Sequence, residues 1–99
     1  MSDTATAVKT KAKIKLPRQW KAVMMNDDYT PMDFVVQVLI SIFEKTEDEA
    51  VELMRAIHNH GRAIVYTGPL ELVRQKVDDT RKLAQQYQFE HFRVVKEEA

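Results

Sequence analysis

Ninety-nine residues are enough for one domain and too few for two. Hydrophobic residues make up 44% and charged residues 30%, a globular balance that excludes a disordered or collagen-like chain. Lys and Arg total 15 against 15 Asp and Glu, so no overall field points to nucleic acid or to a membrane surface. The absence of Cys removes disulfides, thiolate metal sites and cysteine nucleophiles. No apolar run approaches the length of a membrane span, and the first fifteen residues lack the apolar stretch of a secretory leader. The expectation is a small cytoplasmic domain.

Residues 1–17 differ from the rest. Ala, Thr and Ser accompany Lys9, Lys11, Lys13 and Lys15, against a single Asp3. So little apolar surface cannot offset chain entropy, and this stretch reads as a flexible basic arm ahead of a folded domain over 18–99. A solubilising tail and a tether fit that composition equally. Trp20–Met25 (W-K-A-V-M-M) reads as a strand, ended by the turn formers Asn26-Asp27-Asp28-Tyr29. Thr30 suits a helix N-cap, Pro31 the first helical position and Asp33 the capping-box acid. From Pro31 to Phe43 the polar positions Asp33, Gln37 and Ser41 are four apart, which predicts one narrow polar stripe on an otherwise buried helix.

Thr46-Glu47-Asp48-Glu49 is a second capping box. Its helix runs to about His60, with Ala50, Leu53, Met54 and Ile57 on one face and Gly61 as a left-handed terminator. Arg62–Tyr66 reads as the second strand and Thr67-Gly68-Pro69 as the start of a third helix. Along that helix Leu70, Val73, Val77, Ala84 and Tyr87 keep a 3.6 period. Phe89–Val95 is the last strand, with Phe92 and Val94 on one face. The order β-α-α-β-α-β predicts a two-layer α/β (α+β) sandwich, a three-stranded antiparallel sheet packed by three helices. The outer sheet face carries polar positions such as Lys21, Arg62 and Arg93.

Three features could carry chemistry. The loop Asn26–Thr30 is pinned at both ends by a strand and a helix, and fits either a plain turn or a site. His58 follows Met54 by one turn on an apolar face, as an edge histidine or a ligand-binding one. His60 points elsewhere on a helix, so the His-x-His pair is a poor chelate. Met24, Met25, Met32 and Met54 are soft, adaptable side chains, suited to core filling or to surfaces that accept varied apolar groups. Enzyme chemistry finds little support. Gly61 and Gly68 make no phosphate loop, and Ser2, Ser41 and the threonines have no base at a recognisable spacing. Asp27 and Asp28 with His58 lack a third group.

The run Asn26-Asp27-Asp28-Tyr29-Thr30-Pro31-Met32, then Phe34-Val35, then Leu53-Met54-x-Ala56-Ile57-His58-x-x-Gly61-Arg62-Ala63 resembles the ClpS family. These are the bacterial N-end-rule adaptors of the Clp AAA+ protease, and the resemblance covers Lys21 to Val95. It implies a non-catalytic adaptor, with no cofactor or metal, that binds substrates beginning with Leu, Phe, Tyr or Trp. Carried over by position, Asn26, Asp27 and His58 hold the substrate's α-ammonium. Asp28, Thr30, Met32, Val35, Met54 and Ile57 wall the side-chain pocket, with Met32 as its gate. Glu71 and Lys76 lie on the surface that docks the N-terminal domain of a ClpA-type or ClpC-type unfoldase. The arm serves delivery rather than binding. Partners are N-degron peptides and proteins and that unfoldase, with no nucleic acid and no membrane, and the chain is expected to be a monomer.

Near the start of the last strand the family places an apolar residue against the pocket. Counting along this chain gives His91, with Phe92 adjacent. Either Phe92 faces the pocket through a one-residue shift, or His91 makes the rim more polar. Two other readings stay open. A nucleic-acid or ribosome-associated module predicts a basic face, although the Lys cluster lies in the arm and the core is acidic on balance. A metal-dependent hydrolase centred on Asp27, Asp28, His58 and His60 predicts bound metal.

Overall fold

The structure, a computed structural model, describes residues 18–99. The arm expected over residues 1–17 lies outside the described residues. The chain forms β1 (Gln19–Met25), α1 (Met32–Ser41), α2 (Glu47–His60), β2 (Arg62–Pro69), α3 (Leu70–Gln86) and β3 (Arg93–Glu98). The sheet order is β2-β1-β3, with both pairings antiparallel. This is the two-layer arrangement that the element order predicts.

β1 lies in the middle because it can be buried on both faces. Ala22, Val23 and Met24 have no exposure at all. Ala22 and Met24 face the helices and belong to the core. Val23 points to the other face, opposite Ile64 of β2 and Val95 of β3. The Arg62–Glu97 ion pair, at 2.8 Å, reaches from β2 to β3 across β1 and covers it. A bulge between the Ala22–Tyr66 and Val23–Ile64 pairs leaves Val65 as the extra residue. That residue turns into the core, while Ile64 stays half exposed on the outer face.

The helices follow their apolar stripes. In α1, Phe34, Val35, Val38 and Leu39 are buried and Asp33, Gln37 and Ser41 are exposed. In α2 the capping box is complete. Thr46 Oγ1 accepts from the Glu49 backbone N–H at 3.1 Å, and the Thr46 N–H donates to Glu49 Oε1 at 2.9 Å. The bond from the Thr46 N–H, with further help from its side chain, holds the Glu49 carboxyl below the usual glutamate range. α3 buries Val73, Val77, Thr80 and Ala84. The Thr80 hydroxyl is satisfied by donating to the Lys76 carbonyl at 2.8 Å.

Four local expectations are corrected. Thr30 is not an N-cap and Asp33 makes no capping box: α1 begins at Met32 with Pro31 as cap and no side-chain cap bond, because the Thr30 hydroxyl is drawn to Asp27. Thr67-Gly68-Pro69 extends β2 instead of opening α3, because β1 starts early enough to pair all three. Gly68 leaves room for the Tyr66 ring, which would have to shift if a Cβ were added 2.9 Å away. Tyr87 is not on the buried face: it caps α3 and is 59% exposed. The last strand begins at Arg93 rather than Phe89, because residues 87–92 form a turn closed by the Phe89 N–H on the Ala84 carbonyl and the Phe92 N–H on the Phe89 carbonyl. Phe92 and Val94 still share the core face.

Candidate functional site

The end of β1 and the end of α2 are tied together by backbone. Gly61 ends α2 with φ of 90°, its N–H donating to the Ile57 carbonyl at 2.9 Å. Its own carbonyl accepts from the Asn26 N–H at 2.9 Å. That bond sets the root of the loop beside the helical turn that carries Ile57 and His58.

Asp27 then shapes the loop from inside. Its Oδ1 accepts from the N–H groups of Tyr29 and Thr30, both at 2.8 Å, and from the Thr30 hydroxyl at 3.0 Å. Its Oδ2 accepts from the same hydroxyl at 2.8 Å. This is an Asx-type turn built on one carboxylate. It leaves the Asp27 Oδ2 as the less occupied oxygen.

These two devices enclose a cavity of about 160 Å³. All nine residues assigned above to the ammonium site and the pocket line it: Asn26, Asp27, His58, Asp28, Thr30, Met32, Val35, Met54 and Ile57. Val35, Ile57 and Phe92 are buried and form the apolar floor. Asn26, Asp28 and His58 are exposed at the mouth, and Met32, 48% exposed, stands at the lip. Two lining residues go beyond that assignment. Met25 is the last residue of β1, notable beforehand only as one of four soft methionines. Phe92 settles the open register: it faces the cavity, held edge-to-face against Phe34 with centroids 5.6 Å apart. His91 does not line the cavity and stacks on Tyr29 instead.

Other groupings are not assembled. His60 does not line the cavity, and among the described residues no cluster of three or more His, Asp or Glu is arranged to hold a metal ion. A larger groove of about 510 Å³ runs between α3 and β3, but it holds none of the loop or α2 motif residues. Phe92 lines both spaces and so stands between them. Glu71 and Lys76 are also apart from the cavity. Glu71 is exposed and paired with Arg74. Lys76 is turned inward, donating to the Ile42 carbonyl at 2.9 Å, with its ammonium 3.6 Å from Glu44 and 5.0 Å from the centre of the Tyr66 ring. Its cation ties α3 to the end of α1.

The site is thus a small cavity with an apolar floor, ringed by hydrogen-bond acceptors, at one end of a sheet-and-helix sandwich. Residues 15–94 match the family model of the ATP-dependent Clp protease adaptor protein ClpS. The ATP-dependent Clp protease adapter protein ClpS of Wolinella succinogenes is 40% identical over 88 residues, covering 89% of this chain and 86% of that protein. The protein of the same description from Parvibaculum lavamentivorans is 44% identical over 85 residues, covering 86% and 77%. The solved structure of Agrobacterium tumefaciens ClpS2 bound to L-phenylalaninamide superposes with a TM-score of 0.81 at 28% identity, covering 85% of this chain and all of that one. The chain belongs to the ClpS family of Clp protease adaptors. Among the described residues no helix is long and apolar enough to cross a membrane.

Proposed function

We propose that this chain is a cytoplasmic, non-catalytic adaptor that binds the free amino terminus of proteins beginning with Leu, Phe, Tyr or Trp. It hands them to the N-terminal domain of a ClpA-type or ClpC-type unfoldase. One observation carries the reading: three acceptor side chains, Asn26, Asp27 and His58, converge at the mouth of a cavity with an apolar floor. An α-ammonium has three donors and no acceptor, so three acceptors complement it. The Asn26 amide oxygen, the Asp27 Oδ2 and one ring nitrogen of His58 supply them. A hydrogen bond to a charged group contributes about 1.5–3 kcal/mol net. The exposed carboxylate of Asp28 adds negative potential at the same mouth.

The floor then selects the side chain. Burying a Leu or Phe there is worth about 1.5–3 kcal/mol. The solved relative's ligand, L-phenylalaninamide, carries a free α-amine, a Phe side chain and a capped carboxyl group, the chemistry of the first residue of a chain. That supports the same use of this cavity. Docking of the unfoldase belongs to the first turns of α3, where Glu71 and Leu72 are exposed and Lys76 braces the helix against Ile42.

A labelled peptide beginning with Phe and its N-acetylated twin, titrated by fluorescence anisotropy, test the reading. The free peptide binds and the acetylated one does not. Equal binding of the two would remove the ammonium from the argument and the proposal with it.

A further inference from the structure

Two aromatic rings stand at the rim of the cavity without a part in its lining. Tyr29 lies between Asp28 and Thr30, and His91 directly precedes Phe92; all three of those neighbours line the cavity. The Tyr29 and His91 rings stack with centroids 4.3 Å apart and planes inclined by 28°. Tyr29 is 73% exposed, so one face of the pair stays open to solvent. The fold does not depend on the pair. Neither ring belongs to the core cluster, and the loop is already held by Asp27 and by the Asn26–Gly61 bond.

We infer that the Tyr29–His91 stack is a subsite for the second residue of the bound chain, and that it takes a planar side chain, an aromatic ring or a guanidinium. The inference rests on the reading that residue one sits in the cavity. Consecutive Cα atoms are about 3.8 Å apart, so residue two is held at the rim. In an extended chain successive side chains point to opposite sides, so the second is carried out of the cavity while the first points to its floor. A planar group there adds a third layer to the stack. Aromatic rings gain from offset stacking, and a guanidinium gains from the π face and from its flat, weakly hydrated surface. Asp28 and Glu90, each next in sequence to one of the rings and exposed, add attraction for the guanidinium, whereas Arg93 is the nearest basic residue in sequence.

The test uses the full chain and peptides of one downstream sequence beginning Phe-Arg, Phe-Trp, Phe-Lys, Phe-Leu and Phe-Ala. Lys supplies charge without a plane, and Leu supplies apolar bulk without one. The Arg and Trp peptides bind about three- to tenfold more tightly than the Lys and Leu peptides. That preference shrinks to less than about twofold in Tyr29→Ala and in His91→Ala, and it survives in Tyr29→Phe and His91→Phe, which keep the planes. Thermal melts of each variant show whether the fold is kept. A preference that survives both alanine variants, or four peptides that bind alike, overturns the subsite while leaving the cavity reading intact. Equal binding of Phe-Ala and acetylated Phe-Ala overturns both.

Discussion

Asp27 folds its own loop and, on the reading proposed above, also receives the substrate. Three bonds from the loop occupy Oδ1 and one occupies Oδ2, so an incoming ammonium would meet an acceptor whose position is already set. His58 has no such second task, being exposed near the end of α2. His58→Ala therefore lowers affinity for a Phe-start peptide by about 1–3 kcal/mol, with the melting temperature unchanged. On the same reading affinity falls at alkaline pH as the peptide amine, with a pKa of about 7.7–8.0, loses its proton. An anisotropy profile that stays flat through that range would remove the amine from the contact. On the proposed reading Met32 acts by shape. It is the first residue of α1, fixed at the backbone, with its side chain at the cavity lip. A β-branched first residue carries bulk at Cβ, beside the ammonium and stiff at χ1, whereas Leu and Phe branch one carbon later. Met32→Ala should improve binding of an Ile-start peptide by about 1 kcal/mol, the scale of a relieved clash. The Leu-to-Ile affinity ratio in the two proteins measures it, and an unchanged ratio shifts the exclusion to Val35 or Ile57.

The two ends of α2 separate stability from binding. Fourteen steps of about 1.5 Å place the Thr46 cap roughly 20 Å from His60. Thr46→Ala breaks the capping box and costs about 1 kcal/mol of stability, with peptide affinity untouched. The lowered Glu49 carboxyl makes that cap dependent on pH. Its contribution is complete above the ordinary glutamate range and is lost as pH falls through the lowered value. Gly61→Ala acts at the other end. No neighbour lies within 4 Å of the added Cβ, so there is no clash, but φ of 90° suits glycine. The strain costs about 1–2 kcal/mol, and relief moves the carbonyl that holds Asn26. Stability and affinity should fall together in Gly61→Ala. A thermal melt beside a peptide titration of each variant distinguishes the two patterns, and an affinity loss in Thr46→Ala alone would contradict it.

Across the whole molecule, β1 sets the distance between Arg18, the first described residue, and the site. Arg18 stands at one end, paired with Glu98, and the cavity begins at Met25 on the other, seven residues or roughly 20 Å along the strand. Every lining residue lies at Met25 or beyond. Deleting Met1–Leu16 should therefore leave peptide affinity unchanged and slow the degradation of a Phe-start substrate by the cognate protease. Undiminished degradation would reduce those residues to a solubilising tail. Lys76 links the other surfaces, since its cation fastens α3 to the Ile42 turn. Lys76→Met removes the bond to that carbonyl and should lower the melting temperature as well as any docking, whereas Glu71→Gln should affect docking alone.

Local pattern carried much of this into view. The four-residue spacing of Asp33, Gln37 and Ser41 made the exposed face of α1 legible, as did Thr46 with Glu49 and the terminator Gly61 for α2. Periodicity and capping depend on near neighbours, so the chain states them outright. The motif around Asn26 and His58 pointed to the family, although the residues by themselves favoured a plain turn and a core or edge histidine. Only the tertiary structure brought the loop and the helix end together, through one backbone bond between Asn26 and Gly61. It also decided which partner the Thr30 hydroxyl takes, how far β2 runs along β1, and that Phe92 rather than His91 faces the cavity. Each of those outcomes is a competition for a hydrogen bond or a burial site supplied by another part of the chain, and its result depends on where the folded backbone sets the competitors.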